Sequence, residues 1–412
     1  MISNLAVVLR QREYRKYFVA ALLAAIGSGM YFVAISWYLF KTSGSTMAIG
    51  WAFIATTLPG LLLSPVVGVL VDRWNPKHVC AAADLLRGAI LLLLAFGMAT
   101  GSLQPMHIYV ASFFIALCDN FFQPAIAALI RDMVSKEKLL PANIVGSMAS
   151  QVGTLLGASL GGFAVAALGT DMVVGVNACS FLASAALIVW IRNTHRPAAI
   201  APQPQARDGG VIAQFRRAVQ ETPQRAFLLM IVVQQVLAYL TVFVCNTLLP
   251  GFVVRELNAG AEAFGLIDAG WGIGALTGGL LLNRLLKRGN AARVGAACLV
   301  AFALGLVTLA AAHNAVHATL AYLVLGCIGV MLRINGDTEI VKTVAAAHFG
   351  KIKSGVIMII SWSSLAVYGL VGYLGDTVSS RYIYLALAAI TLTCGLLMLS
   401  RPRKPVVQPA LS

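Results

Sequence analysis

The stretch "GVLVDRWNPK", residues 68–77, places one acid and two bases in a short turn between two long apolar segments. The run from Leu58 to Val71 is almost entirely apolar, and apolar sequence resumes at Val79. Asn75 and Pro76 favour a helix break between the two runs, because proline lacks the backbone N–H that a helix interior needs. We therefore predict two apolar helices joined by a tight, charged turn.

A degenerate copy of this turn, "GLLLNRLLKR", occurs 211 residues later, at residues 279–288. Arg73 aligns with Arg284, whereas Asn283 stands where the first copy has Asp72. Both copies follow the second apolar segment of their half of the chain. The pattern indicates a duplicated unit, which is typical of transporters whose substrate site lies between two repeats.

The chain has 412 residues, of which 59% are hydrophobic and 11% charged. Soluble domains carry about 25% charged residues, so this composition predicts an integral membrane protein. Helices or closed barrels alone satisfy backbone groups in lipid, and the apolar runs are too long for barrel strands. We predict twelve membrane-spanning helices at residues 17–40, 47–71, 79–100, 107–130, 141–168, 172–191, 226–254, 263–283, 293–312, 318–341, 354–375 and 382–400.

The basic residues predict the orientation of these spans. Of the 30 Lys and Arg residues, 25 fall in segments on the side of the N-terminus and 3 on the other side. Because basic loops stay inside, both termini are predicted to be cytoplasmic, in a bacterial cytoplasmic (inner) membrane. This distribution also accounts for the net charge of +15 without a nucleic-acid partner. The seven cysteines lie in apolar runs without metal-type spacing, so neither a metal nor another cofactor is expected.

The longest polar interval, residues 192–225, divides the spans six against six. It is rich in Pro, Gln and Arg, a composition typical of a linker. We predict an N-terminal six-helix bundle (1–191), a cytoplasmic linker (192–225), a C-terminal six-helix bundle (226–400) and a cytoplasmic tail (401–412).

The opening turn resembles the loop signature of the major facilitator superfamily, G-x-L-x-D-R-x-G-R-K, with Asn75 and Pro76 in place of the usual Gly and Arg. Residues 118–169 are similar to the macrolide-efflux and enterobactin-exporter branch of that superfamily. The resemblance implies an all-α membrane fold of two pseudo-symmetric six-helix bundles. It also implies secondary active transport.

The resemblance further implies that the turn is a latch. In this interpretation Asp72 faces the positive N-terminal end of the eleventh helix, predicted to begin near Ser354 and Gly355, and holds the cytoplasmic side shut. Arg73 or Lys77 would pair with an acid at the end of the fourth span. The alternative is that these charges only stop the helix and set topology. The latch residues are Gly68, Asp72, Arg73, Lys77 and Asp132.

The fifth span carries glycines at Gly153, Gly157, Gly161 and Gly162. They resemble the antiporter motif G-x3-G-P-x2-G-G, with Ala158 in place of proline, which favours an exporter. The alternative is ordinary helix packing, because small residues at this spacing let two helices approach closely.

Charged residues within the spans are functional candidates because charge is costly in lipid. Three carboxylates are candidates for proton coupling: Asp119, Asp268 and Glu339. Glu339 has a lysine three positions on, whereas Asp119 and Asp268 have no base nearby in sequence. Asp119 is about 18 Å into its span at 1.5 Å per residue. A carboxylate there without a cation would be held as the neutral acid, which suits a proton carrier.

Two other carboxylates within the spans have a base close by. Asp84 lies three positions before Arg87, and Asp337 lies four positions after Arg333, so each pair can neutralise itself on one helix face.

Ten polar, aromatic or cationic residues within the spans could line a substrate cavity. The two arginines favour an anionic cargo, although their acidic neighbours weaken this inference. Helix packing is the alternative for each of them. The candidates are Tyr31, Trp37, Arg87, Gln123, Gln235, Tyr239, Asn246, Arg333, Asn335 and Trp362.

We therefore predict a monomeric, proton-coupled antiporter that exports a small amphipathic molecule, a siderophore or a drug, through the lipid bilayer. The alternatives are a nutrient or metabolite importer on the same fold and a lipid flippase. No H-E-x-x-H, G-x-S-x-G or P-loop motif occurs in a suitable context, so an enzyme is not expected.

Overall fold

The computed structural model describes residues 8–192, 211–288 and 291–400, except the side chains of residues 64–66, 68, 69, 72, 211, 283–288, 291, 292, 346 and 347. Its helices are α1 (Arg12–Ser43), α2 (Thr46–Arg73), α3 (Pro76–Ala99), α4 (Pro105–Met133), α5 (Leu139–Leu168), α6 (Thr170–Val189), α7 (Val211–Glu221), α8 (Arg225–Arg255), α9 (Ala261–Arg288), α10 (Ala291–Ala310), α11 (Ala315–Thr343), α12 (Ala346–Thr377) and α13 (Ser380–Ser400).

Twelve of the described helices are long and apolar enough to cross a membrane, which confirms the twelve predicted spans. The eleventh span differs, because its helix begins at Ala346 rather than near residue 354. Lys351 and Lys353 interrupt the apolar pattern there, and a lysine near a helix end can extend its ammonium to the surface. The predicted linker also contains a helix, α7, which its polar composition did not reveal.

The opening turn breaks the helix as predicted. α2 ends at Arg73, and Pro76 is the first residue of α3. The Asn75 side chain accepts a hydrogen bond from the Lys77 backbone N–H at 3.0 Å. Asparagine at the N-cap followed by proline at the first helical position is a strong helix start, so this turn both ends α2 and starts α3.

The helices form two groups of six, α1–α6 and α8–α13. Within the first group α1 packs on α5 and α6, and within the second α9 packs on α11. The two groups, called here the N-half and the C-half, meet chiefly where α2 contacts α12 and α5 contacts α9. These are the second and fifth spans of each half, so the interface follows the repeat.

The four glycines of α5 divide between two neighbours. A Cβ added at Gly157 would lie 2.0 Å from the Ile26 carbonyl oxygen of α1. Gly153 and Gly161 also face α1 closely. A Cβ at Gly162 would instead lie 2.6 Å from the Cα of Gly265, on α9 of the C-half. The packing interpretation accounts for these glycines, because an added Cβ would meet α1 or α9 at 2.0–3.1 Å.

The bundle has two ends. The basic end holds the turns at residues 74–75, 134–138 and 344–345, and is the predicted cytoplasmic end. The opposite end holds the turns at residues 44–45, 256–260 and 378–379. At the basic end, α7 packs on the first part of α12, where a Cβ at Gly355 would lie 2.1 Å from the Phe215 ring. His348 and Glu221 also join these helices at 3.1 Å.

Candidate functional site

Three charged side chains of the N-half form one cluster. Arg87 of α3 donates hydrogen bonds to Asp84 on its own helix and to Asp119 on α4. Ser184 of α6 donates to Asp84 at 2.6 Å. The Asp84 side chain is fully buried, whereas that of Asp119 is 48% exposed. One guanidinium therefore binds two carboxylates, and only Asp119 is open to a ligand.

Aromatic rings hold the guanidinium in place. Its central carbon lies 4.6 Å from the centre of the Phe122 ring and 4.5 Å from that of Phe181. Arg87 is only 5% exposed. The pair with Asp84 that the sequence suggested is confirmed. Arg87 is not among the residues that line the cavity, because its guanidinium is buried between two acids.

Asp119 faces a cavity of about 400 Å³ among the helices of the N-half. The cavity has aromatic walls and several neutral hydrogen-bonding groups, as a site for an amphipathic molecule requires. Of the predicted cavity residues, Tyr31 and Gln123 line it. Other lining residues are Ser28, Phe32, Phe53, Asn120, Asn177 and Phe181.

A larger cavity of about 640 Å³ lies between α3 and α4. Its walls are apolar apart from Asn75 and His78, and Leu86 and Phe114 beside it are exposed. Exposed apolar side chains on a membrane helix face lipid. We therefore place the candidate site in the smaller cavity, which has the polar groups that orient a ligand.

A row of aromatic rings leads from this cavity into the C-half. The ring centres of Phe32 and Phe53 are 5.7 Å apart, and Phe53 lies 5.1 Å from Tyr368 of α12. Tyr368 lies 5.3 Å from Phe243, which lies 6.4 Å from Tyr239. The row crosses the interface between the halves at the Phe53–Tyr368 contact.

Arg333 lies at the end of this row, with its central guanidinium carbon 4.6 Å from the Tyr239 ring centre. The expected pair with Asp337 is not what the structure shows. Asp337 accepts a hydrogen bond from Gln235 at 2.6 Å and forms an ion pair with Lys353 of α12. Within the described part of the chain, Arg333 makes no ion pair, and the face of the Tyr239 ring stabilises its positive charge.

The three candidates for proton coupling have different surroundings. Asp119 is bound to Arg87, so the prediction that it lacks a cation is wrong; the partner is 32 positions away in sequence. Glu339 pairs with Lys342 at 3.1 Å, as the sequence suggested. Asp268 is half-buried on α9 and forms neither a hydrogen bond nor an ion pair with any described residue. Asp268 is thus the candidate that lacks a cationic partner.

Four other predicted cavity residues lie elsewhere. Trp37 is buried and stacks on Phe264 of α9, with ring centres 6.1 Å apart, so it is a packing residue. Asn335 is buried against α10, where a Cβ at Gly295 would lie 2.7 Å from its amide nitrogen. Asn246 is half-buried on α8, and Trp362 of α12 is 57% exposed.

The predicted latch is only partly described. The surroundings of Gly68 and the side chain of Asp72 lie outside the described residues. Arg73 is exposed, and Lys77 and Asp132 are half-buried. The proposed target near Ser354 and Gly355 is wrong, because α12 begins at Ala346 and Gly355 lies inside the helix.

Sequence reasoning missed several side chains that meet only in the folded bundle. Phe53, Phe243 and Tyr368 belong to the aromatic row, and Ser184 donates a hydrogen bond to Asp84 from 100 positions away. Aromatic and small hydroxyl residues are common in membrane helices, so no local pattern marked these ones.

Known proteins resemble this chain over most of its length. The family model described as transmembrane secretion effector matches residues 2–408. Macrolide efflux protein A of Streptococcus pyogenes is 21% identical over 264 residues, covering 63% of this chain and 64% of that protein. The enterobactin exporter of Citrobacter koseri is 24% identical over 222 residues, covering 52% of this chain and 51% of that protein. The matched stretches thus span between about half and two thirds of these relatives.

Solved structures share the fold. A bacterial homologue of the iron transporter ferroportin, in an inward-facing state, superimposes with a TM-score of 0.73 at 15% identity, covering 95% of this chain and 99% of that one. The nucleoside transporter NupG gives a TM-score of 0.70 at 15% identity, covering 94% of this chain and 98% of that one.

These similarities agree with the twelve described spans and with the repeated turn in the sequence. Because the family match extends over nearly the whole chain, this protein belongs to the transmembrane secretion effector family of the major facilitator superfamily.

Proposed function

We propose that this protein is a secondary active exporter that moves a small amphipathic cation out of the cytoplasm in exchange for protons. The observation that carries the proposal is the position of Asp119. Its carboxylate is 48% exposed beside the cavity, while the guanidinium that it contacts is already bound to Asp84. With both acids ionised the cluster has a net charge of −1.

That charge explains how cargo and proton would be exchanged. A proton on Asp119 or a cationic group beside it would each neutralise the cluster, and the Asp84–Arg87 pair would persist in both cases. One carboxylate cannot bind both at once. Mutually exclusive binding at a site that opens to each side in turn gives antiport.

The rest of the cavity suits the apolar part of such a cargo. Tyr31, Phe32 and Phe181 provide aromatic faces, which favour both apolar groups and cations. The direction of transport rests on the resemblance to a macrolide efflux protein and an enterobactin exporter. An importer on the same fold would use the same cavity in the other direction.

In this proposal the basic end lies in the cytoplasm of a bacterial cell with the spans in the inner membrane, since 25 of 30 Lys and Arg residues are predicted on that side. Both termini would then be cytoplasmic, and the protein would act as a monomer. Asp72 would latch the basic end against the start of α12 when that end closes.

The second candidate is export of an anionic cargo such as a siderophore. Arg333 favours it, because its guanidinium lies over Tyr239 without an ion pair in the described chain. The charge of the cargo therefore distinguishes the two candidate functions. Lipid flipping is a third activity that the same fold could perform.

Proteoliposomes with an imposed pH gradient test the proposal, with ethidium as the cationic probe and 2,3-dihydroxybenzoate as the anionic one. Asp119→Asn should lower gradient-driven ethidium transport about tenfold or more, since hydrogen bonds to charged groups are worth about 1.5–3 kcal/mol. Arg333→Gln should leave ethidium transport within about twofold. Glu262→Gln, at an exposed acid of the opposite end, is the matched control.

The opposite pattern would favour the anionic cargo: transport of 2,3-dihydroxybenzoate lost in Arg333→Gln and kept in Asp119→Asn. Wild-type accumulation of ethidium by Asp119→Asn would refute the exchange mechanism at Asp119.

A further inference from the structure

Asp376 of the C-half caps a helix of the N-half. It lies in the last turn of α12 and accepts hydrogen bonds from the backbone N–H groups of Thr46 at 2.6 Å and Met47 at 3.2 Å. These are the first two residues of α2. The Ser45 hydroxyl donates to the same carboxylate. A helix start has unpaired N–H groups and partial positive charge, and here an acid from the other half satisfies both.

Arg255 makes the complementary contact at the same end. It is the last residue of α8 and donates to the Gly375 carbonyl at 2.6 Å and to the carbonyl of Gly44, the residue that ends α1. It also lies 3.4 Å from Asp376 and 5.0 Å above the Phe40 ring of α1. The end of α1 and the start of α2 are therefore both held by charged side chains of the C-half.

Below these contacts the two halves touch through backbone. A Cβ at Gly50 of α2 would lie 2.6 Å from the Tyr368 carbonyl, and one at Gly372 of α12 would lie 3.0 Å from the Met47 Cα. Phe53 and Tyr368 meet seven or eight residues deeper, about 11 Å at 1.5 Å per residue. The opposite end is thus closed by a polar layer and an aromatic layer.

The basic end is different. There Lys16 pairs with Glu13, Lys342 with Glu339, and Lys353 with Asp337, and each of these pairs stays within one half. The charged contacts described at the opposite end, in contrast, join the two halves.

We propose that Asp376 and Arg255 form the lock of the opposite gate, and that transport requires this lock to open once in each cycle. α2 and α12 run antiparallel, and an aspartate occurs in the last turn of each, Asp72 and Asp376. Asp376 caps the start of α2 in this structure, and that contact cannot persist when the opposite end opens. The inference rests on transport by alternating access, and not on the charge of the cargo.

Spin-label distances test the lock in a background whose seven cysteines are replaced. Cysteines at Ser102 and Glu262 report the opposite end, and cysteines at Glu137 and Lys351 report the basic end; all four positions are exposed. Asp376→Asn should raise the ratio of open to closed populations at the opposite end about tenfold, since charged hydrogen bonds are lost. The basic-end labels should move closer together. Asp171→Asn, at an acid of the same end, is the matched control.

Unchanged distances at both ends in folded Asp376→Asn would overturn the proposal and leave Asp376 a static cap. A crosslink gives an independent reading if that variant folds poorly. Ser45→Cys with Asp376→Cys, oxidised to a disulfide, should stop transport, and reduction should restore it. Transport by the oxidised protein would equally overturn the lock. The spin-label distances do not depend on which cargo is transported. If the ethidium assay showed no cation export, the lock could still be tested by these distances, so the two proposals can fail independently.

Discussion

Arg87 and Asp119 are 32 positions apart in sequence and joined by a hydrogen bond between α3 and α4. The same guanidinium binds Asp84, one helical turn away. Because one cation binds two acids, the cluster presents negative charge to the cavity through Asp119. In the proposed exchange this negative charge favours a cationic cargo, whereas Arg333 favours an anionic one.

Replacing Arg87 alone should destabilise the protein more than replacing Arg87 and Asp84 together. Arg87→Gln leaves Asp84 buried without its cation, which costs about 3–5 kcal/mol for a broken buried pair. The double variant Arg87→Gln with Asp84→Asn should recover much of that loss. Thermal unfolding in detergent measures both. Equal losses in the single and the double variant would show that Asp84 does not depend on Arg87.

Gly157 should tolerate no side chain. Alanine there would place a Cβ 2.0 Å from a backbone carbonyl of α1, so the two helices must separate. Overpacking of this kind costs about 1–3 kcal/mol. The control is Gly175→Ala, whose new Cβ would meet only Ala95 at 3.9 Å. Equal thermal stability in the two variants would contradict the close approach of α1 and α5.

A side chain at Gly162 should open the opposite end of the bundle rather than disturb packing within the N-half. Gly162→Ala would place a Cβ 2.4 Å from the Ala261 carbonyl of α9, across the interface. We expect the label pair at Ser102 and Glu262 to report a more open end, with stability less reduced than in Gly157→Ala. If the distribution of spin-label distances were the same as in the unsubstituted protein, α5 and α9 would accommodate the methyl group while the opposite end stays closed.

The linker helix α7 should detach from α12 when a side chain is added at Gly355, where the two helices touch. Gly355→Ala would place a Cβ 2.1 Å from the Phe215 ring, so this ring must leave its place and α7 loses its anchor on α12. Trypsin cleavage at the exposed Arg216 and Arg217 should then speed up several-fold. Adding Phe215→Ala should partly reverse the effect, since the two positions share one space and are not additive. Independent, additive effects of the two substitutions would argue against this contact.

Asp268 should be a destabilising residue. It lies within a membrane span, is half-buried and has no described hydrogen bond or ion pair, and an unpaired charge in a span is costly. Asp268→Asn should therefore raise thermal stability at pH 8, whereas Asp171→Asn should change little. We expect gradient-driven ethidium transport to persist. Its loss in Asp268→Asn would move the proton site from Asp119 to Asp268.

Several features were determined by the sequence alone. Hydropathy predicted all twelve spans, and the repeated turn at residues 68–77 and 279–288 predicted two related halves. Asn75 and Pro76 predicted the break between α2 and α3. The sequence predicts the spans because a helix that crosses a lipid bilayer needs a long apolar segment. It predicts the helix break because an N-cap residue and a proline act on residues that are adjacent in sequence.

The lateral arrangement of the helices was decided only by the tertiary structure. A helix that is apolar on all sides has no periodic face to show which neighbour it meets, so Gly157 and Gly162 look alike in sequence but pack on different halves. Local spacing paired Arg333 with Asp337, yet Asp337 binds Gln235 and Lys353 instead. The site and the gate depend on contacts between distant spans, such as Arg87 with Asp119 and Asp376 with Thr46, which form only when the bundle packs.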